Sequence, residues 1–553
     1  MSVPQSDQRV PHRIYRPLAA VSLLVPLLAA LVFVQMFAGP LPLTDEWTYT
    51  HALREIHDID WDSDTAWSQF RAAYPTRHSE HLVGVPFVLY APIVELFNYD
   101  SRWIIRLTVG CFTLIGLIVW RRLIPEPERL FPVLLLLLCP SHFMEFLWGW
   151  QVTLTLSILF PLAGLAALDQ ISSAEKPAHV ARVVMIGTVL IVLGTFSSAG
   201  GFFGFPAAIF LMALKPIRWR RRVWSIAFLG VVAGVIYQLF LSKTSPHEIT
   251  IGAREFWYVL TALGATLWGS PVGLTEFQFD ARSAGGLLIV GSTVALGVRA
   301  FVTRATPQVA LAMSVVLFGY LCVIPIAIAR PYLGNWHLQY ALPAVFGAYA
   351  FAVRLHRHDT TLWTKIPGMT LGALMMSCLV GYHQGFTQHG PAYREYTKAI
   401  EDYTLNHLPY PERRPPYPPQ GANRDMDAHL TLFLAAQGNP VFPAPTQIEN
   451  PYPPDTLIRA FLDEQQVDFP VLLTGLAPPA KILSIILRVD NPPHEMVARI
   501  GEELRWLPRV NESFIPDGGH SPDAAYYMAL IDPSRHPDDT VIETIAPYQR
   551  PQP

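Results

Sequence analysis

A chain of 553 residues, 51% of them hydrophobic, 12% aromatic and only 15% charged, is composed for an apolar surrounding over much of its length. The formal net charge is −3, so the chain as a whole is neither strongly basic nor strongly acidic. The cysteines Cys111, Cys139, Cys322 and Cys378 form no CxxC pair, so they indicate neither a disulfide framework nor a structural zinc site.

The first element is an uncharged stretch over 17–38, about 33 Å long as a helix against a hydrocarbon core of about 30 Å. Arg9, Arg13 and Arg16 precede it, and Met36-Phe37-Ala38 is a poor small-x-small cleavage site, so it reads as a retained anchor with a cytoplasmic N-terminus. Further spans are expected at 103–120, 129–141, 147–168, 181–197, 201–214, 224–242, 284–302, 308–329, 337–354 and 366–384. That makes about 11 transmembrane helices and leaves the tail on the outer side. Lys and Arg gather in the segments assigned to the cytoplasm, as at Arg121-Arg122 and Arg220-Arg221-Arg222. To keep that bias, the apolar runs 82–97 and 254–269 are laid in the outer interface rather than across the bilayer.

Between the first two spans, residues 39–102 form an outer loop. Thr44-Asp45-Glu46-Trp47 follows the anchor at once, and His78-Ser79-Glu80-His81 precedes the next apolar run, so acidic groups bracket the loop at a membrane surface. Asp45 has two readings of about even weight: an N-cap for a helix through Tyr49 and Leu53, or a base that takes a proton from a substrate hydroxyl at the membrane rim. Imidazole and carboxylate together suit zinc or manganese, so His78, Glu80 and His81 are candidate ligands for a divalent metal ion, with His78 and His81 on one face if the segment is helical; solvated or capping side chains are the commoner outcome for such a spacing.

Later outer segments carry groups suited to a lipid-linked substrate. Glu145 and Gln151 are candidates for hydrogen bonds to hydroxyls, with Trp148 as a stacking surface, although tryptophans also populate ordinary aromatic belts. Ser197-Ser198-Ala199-Gly200-Gly201 reads as a tight turn, since no phosphate-loop pattern is present. Lys243, His247 and Arg254 form one cationic cluster, suited to guiding a polyprenyl phosphate or simply to meeting anionic lipid. Arg330, followed by Tyr332 and His337, forms another, and a planar guanidinium suits phosphate as well as it suits lipid headgroups.

The tail changes character. Residues 385–424 are expected to be a proline-rich linker and 425–553 a small α/β domain, with helices at 425–437, 455–465 and 494–505 and strands at 469–474, 481–489 and 524–531. From 385 onward there are 13 Lys and Arg against 22 Asp and Glu, so this part is acidic and ill-suited to nucleic acid.

An anchor, an acidic pair, Glu80-His81 leading into an apolar proline-containing run, Asn98-Tyr99-Asp100-Ser101-Arg102, and a second span closed by Arg121-Arg122-Leu123 together resemble a known family. The pattern is similar to the GT-C glycosyltransferases of the protein O-mannosyltransferase and lipid A aminoarabinose transferase type, most clearly over 17–168. It departs from them at Leu82-Val83, where that family has Pro-Pro. The resemblance implies a GT-C-like transmembrane domain over 1–384 in a bacterial inner (plasma) membrane. It also implies inverting transfer of a sugar from a polyprenyl-phosphate donor to a glycan, lipid or protein acceptor. Asp45, with Glu46 beside it, is then the general base, and Glu80 orients a metal or the acceptor. Two other classes stay open: a polysaccharide polymerase or ligase, which need not use a first-loop carboxylate, and a lipid-linked glycan transporter or flippase, which should show internal repeats and mid-span charges.

Overall fold

The computed structural model describes residues 15–43, 45–78, 81–172, 176–241, 252–269, 274–277, 279–330 and 332–407, residues 434 and 439–440, and the strands between 468 and 547. The helices in chain order are α1 (Tyr15–Phe37), α2 (Glu46–His57), α3 (Ala66–Ala73), α4 (Gly84–Leu96), α5 (Arg102–Arg122), α6 (Pro127–Leu137), α7 (Phe143–Leu147), α8 (Gln151–Leu168) and α9 (Pro177–Thr195). They continue as α10 (Gly204–Leu214), α11 (Trp219–Ile236), α12 (Ala253–Trp268), α13 (Ala281–Val302), α14 (Thr306–Ala329), α15 (Leu342–His356), α16 (Leu362–Met376), α17 (Cys378–Gln384) and α18 (Gly390–His407). The chain forms two compact units: Met1–Ala38 with Pro75–Leu89 and Ile104–Tyr393, and Gly39–Tyr74 with Tyr90–Trp103 and Arg394–Pro553.

Apolar length explains most of the first unit. Among the described residues seven helical stretches are long and apolar enough to cross a bilayer: α5, α8, α9, Trp219–Leu241, α13, α14 and Asn335–His356. Each coincides with an expected span. The other expected spans fall on α1, a helix of 23 residues, and on helices that are shorter or interrupted: the 11-residue α6, Ala199–Leu214, and α16 with α17. Proline sits in the first turn of α6, α9, α14 and α15, where its missing N–H costs nothing. A reciprocal cap starts α13: Asp280 Oδ1 accepts from the Ser283 N–H at 2.9 Å, and the Asp280 N–H donates to Ser283 Oγ at 2.8 Å.

The run 254–269 is α12, which is buried over most of its length and packs closely against α13. Glycine is the reason, because a Cβ on Gly264 would fall 1.8 Å from the Arg282 carbonyl oxygen and one on Gly286 would fall 1.9 Å from that of Leu260. Backbones approach this closely only at small residues. The segment around His78 is not helical but an antiparallel hairpin of β1 (Arg77–His78) and β2 (His81–Leu82), with His78 directly opposite His81 and so on the same face of the ladder.

In the second unit α2 begins at Glu46, and Asp45 occupies the N-cap position without a side-chain capping bond. The capping reading of Asp45 is therefore not what the fold uses. Instead the buried Glu46 accepts from the Leu43 N–H through Oε2 at 3.1 Å. A tight corner follows α4, where Asn98 and Tyr99 take left-handed φ of 54° and 58° and the Asp100 carboxylate chelates the Arg102 guanidinium at 2.6 to 3.0 Å. Asn439 Nδ2 donates to the Tyr99 carbonyl at 2.7 Å.

The tail holds two antiparallel sheets. One has the order β3 (Asp468–Leu472), β9 (Val541–Pro547), β5 (Met496–Ile500), β6 (Glu503–Leu507), and the other β4 (Leu483–Asp490), β8 (Ala524–Ile531), β7 (Arg509–Val510). The strands expected at 469–474, 481–489 and 524–531 are β3, β4 and β8. The helix expected at 494–505 is the β5–β6 hairpin, with Ile500 paired to Glu503. Gly501 followed by one further residue is the sequence signal for such a two-residue connection. The linker expected from 385 is helical as far as His407, since no proline follows Pro391 until Pro409. The rest of the linker lies outside the described residues, as do the helices expected at 425–437, apart from Leu434, and at 455–465.

Candidate functional site

Within the first unit, polar and aromatic side chains from β2, α12 and the two short 3-10 turns Ala199–Phe203 and Asn335–Tyr340 converge. His81 Nδ1 lies 3.0 Å from Ser198 Oγ, which lies 2.8 Å from the Tyr340 hydroxyl. Beside this relay, His337 Nδ1 accepts from the Gly334 N–H at 3.2 Å, which leaves Nε2 to carry the proton of the neutral ring. The Tyr258 hydroxyl stands 3.3 Å from the same nitrogen and donates to the Tyr332 carbonyl at 3.2 Å. Arg330 and His81 are close enough to act electrostatically on the His337 ring. Tyr332 lies over that ring at 6.1 Å, Trp336 meets Tyr332 at 6.0 Å, and Trp148 meets Trp336 edge-on at 6.0 Å.

The structure thus brings together His81, Arg330, Tyr332, His337 and Trp148 of the residues expected from sequence. Arg254 has a different task. Its Nη1 donates to Glu255 Oε1 at 2.9 Å and its Nη2 to the Arg330 carbonyl at 2.9 Å, so it braces the backbone that carries Arg330. The hydrogen bonds from its own backbone and from Arg254 hold the Glu255 carboxyl below the usual range. Glu145 and Gln151, expected to face a sugar, are fully buried: Gln151 Oε1 accepts from Gln339 Nε2 at 2.6 Å, and Thr155 Oγ1 donates to Gln339 Oε1 at 3.0 Å.

Asp45, half-buried, and Glu46 belong to the second unit and are described with it. Thr50, one turn along α2 from Glu46, has its hydroxyl 3.3 Å from that of Tyr90. Glu80, Lys243 and His247 lie outside the described residues. His78 meets Trp150 edge-on at 4.9 Å, and His81 is engaged by Ser198. Among the described residues, which leave out Glu80, no three His, Cys, Asp or Glu side chains come together.

Sequence reading missed Ser198, Tyr258, Tyr340 and Gln339. Ser198 stood in view as part of a turn, but its partners lie 117 and 142 residues away along the chain, and no local pattern announces them.

Seven apolar helices of spanning length define the class: this is an α-helical membrane protein. Comparison with family models, with curated proteins and with solved structures finds no match to the chain.

Proposed function

We propose that the chain is a membrane glycosyltransferase of the GT-C kind, moving a sugar from a polyprenyl-phosphate donor to an extracytoplasmic acceptor. The observation that carries this reading is the grouping of Arg330, His81 and His337 with buried tyrosine and serine hydroxyls and an aromatic wall, at the end of apolar helices. Such a group suits a phosphate joined to a sugar ring and a lipid tail, because the guanidinium fits the phosphate oxygens and the rings fit the sugar face. In the transfer, an acceptor O–H attacks the anomeric carbon and a new C–O bond forms as the bond to phosphate oxygen breaks. The polyprenyl phosphate leaves with the electron pair, and the proton passes to a general base, the role that the sequence resemblance gives to Asp45.

The test is reconstitution of the full chain in vesicles with polyprenyl-phosphate sugars. Transfer is expected in the natural protein, with a fall of about a hundredfold or more in Arg330→Ala, the order seen when one charge-stabilising donor is removed. Asp45→Asn should lose turnover with donor binding kept. Turnover that survives Asp45→Asn favours a polymerase or ligase instead. Movement of the donor across the bilayer with no covalent product favours a flippase.

A further inference from the structure

Glu145, on the short helix α7, is fully buried, and neither carboxylate oxygen has a hydrogen-bond partner. Its neighbour one turn back, His142, is buried as completely, and Nδ1 stands 3.7 Å from Glu145 Oε2 with no hydrogen-bond partner of its own. The other ring nitrogen settles the chemistry. His142 Nε2 lies 2.6 Å from the Thr266 carbonyl oxygen, which can only accept, so Nε2 carries a hydrogen. In the neutral ring Nδ1 is then a bare lone pair, and an ionised Glu145 would set two acceptors against each other in a dry interior. A carboxylate so placed costs several kcal/mol, at least about the penalty for one unpaired buried charge.

We propose that Glu145 and His142 form a proton-binding site that keeps one proton at neutral pH, where a free glutamate and a free histidine would together hold none beyond the ring N–H. The proton resides on the carboxyl and faces Nδ1, turning an acceptor–acceptor contact into a donor–acceptor one.

The surroundings agree. Burial drives the Glu145 carboxyl well above the usual carboxylate range and outweighs the Gln339 backbone N–H, which stands nearby without closing a hydrogen bond. Burial also pushes the His142 imidazole down to about 4, so the ring does not compete for the proton. From just beyond α6 comes the Cys139 thiol, 3.1 Å from Ser141 Oγ and directed at the Cys378 carbonyl. From α12 comes the Thr266 carbonyl. The segment 378–389 brings Cys378, Tyr382 and His389, of which His389 stacks on Phe143 at 5.1 Å. Among the described residues no lysine, arginine or aspartate is paired with either group.

Linkage gives the sign. The folded carboxyl holds its proton to higher pH than the unfolded one, so the stability is fully present below the unfolded value of about 4.3 and declines as pH rises towards the folded value. In full-length protein in detergent, the unfolding constant should rise by up to about tenfold per pH unit as pH climbs from the unfolded towards the folded value, and Glu145→Gln should remove that slope. Infrared difference spectra of the two proteins at neutral pH should show a protonated-carboxyl C=O band that the variant lacks. Carboxylate bands in place of that band, or equal pH slopes in the two proteins, would overturn the proposal. If Glu145→Gln does not accumulate as folded protein, Glu145→Asp replaces it. The band must then move in frequency, and an unmoved band would assign the proton elsewhere.

Discussion

The inner and outer helices of the first unit are made of similar apolar residues and do opposite things with their polar ones. The spanning windows of α8 and Asn335–His356 are 83% and 94% buried, yet they carry Gln151, Thr153, Thr155, Ser157, Asn335 and Gln339, all fully buried. Trp219–Leu241 and α13 are 17% and 28% buried and expose Val231, Val235, Leu287 and Val294. Outer helices need only match a hydrocarbon solvent. Inner ones that carry amides and hydroxyls hold a polar interior, which is costly in a membrane protein and is kept where it serves a site. The two 3-10 turns, His337 and Tyr340 hang on that interior, and Asn335 fastens one of them by accepting from the Met144 N–H at 3.2 Å and donating to the Ser141 carbonyl at 3.1 Å.

Three substitutions sharpen the contrast. On the inward face, Gly264→Ala should be the most damaging, because its methyl meets the Arg282 backbone at 1.8 Å and neither helix can yield. A loss of about 3 kcal/mol or more is expected, read as loss of folded protein or a large fall in detergent melting temperature. Next, Gln339→Leu strips Gln151 Oε1 and Thr155 Oγ1 of their shared partner and should cost about 1–3 kcal/mol. Thermal unfolding checks this, and an unchanged midpoint would show that the inner amides are idle. Smallest is Gly291→Ala on the outer face of α13, where a Cβ meets nothing within 4 Å. It should be neutral or stabilising by up to about 1 kcal/mol, from helix propensity alone.

What could be read in the sequence follows from how local each signal is. Long apolar runs announce a span wherever it sits, so α5, α8, α9, α13 and α14 were legible within a few residues at each end. Burial inside the protein was not: the composition of α12 does not announce the close approach of Gly264 to α13. The β5–β6 hairpin was hidden because Ala498, Glu503 and Leu504 favour helix, while Gly501, the residue that breaks the pattern, counts for little in a helical window. At the site, Arg330, Tyr332 and His337 were legible as a short cationic and aromatic run. The bracing role of Arg254 and the Ser198–Tyr340 contact were not, since both depend on partners far away in sequence.

The glycine contacts between α12 and α13 carry a mechanical consequence. With main chains nearly touching at Gly264 and Gly286, no acyl chain can slip between these two helices, and they must shift as one piece. A lipid tail that reaches the interior has to enter through another seam, so crosslinking α12 to α13 should leave entry untouched while locking other helix pairs should stop it.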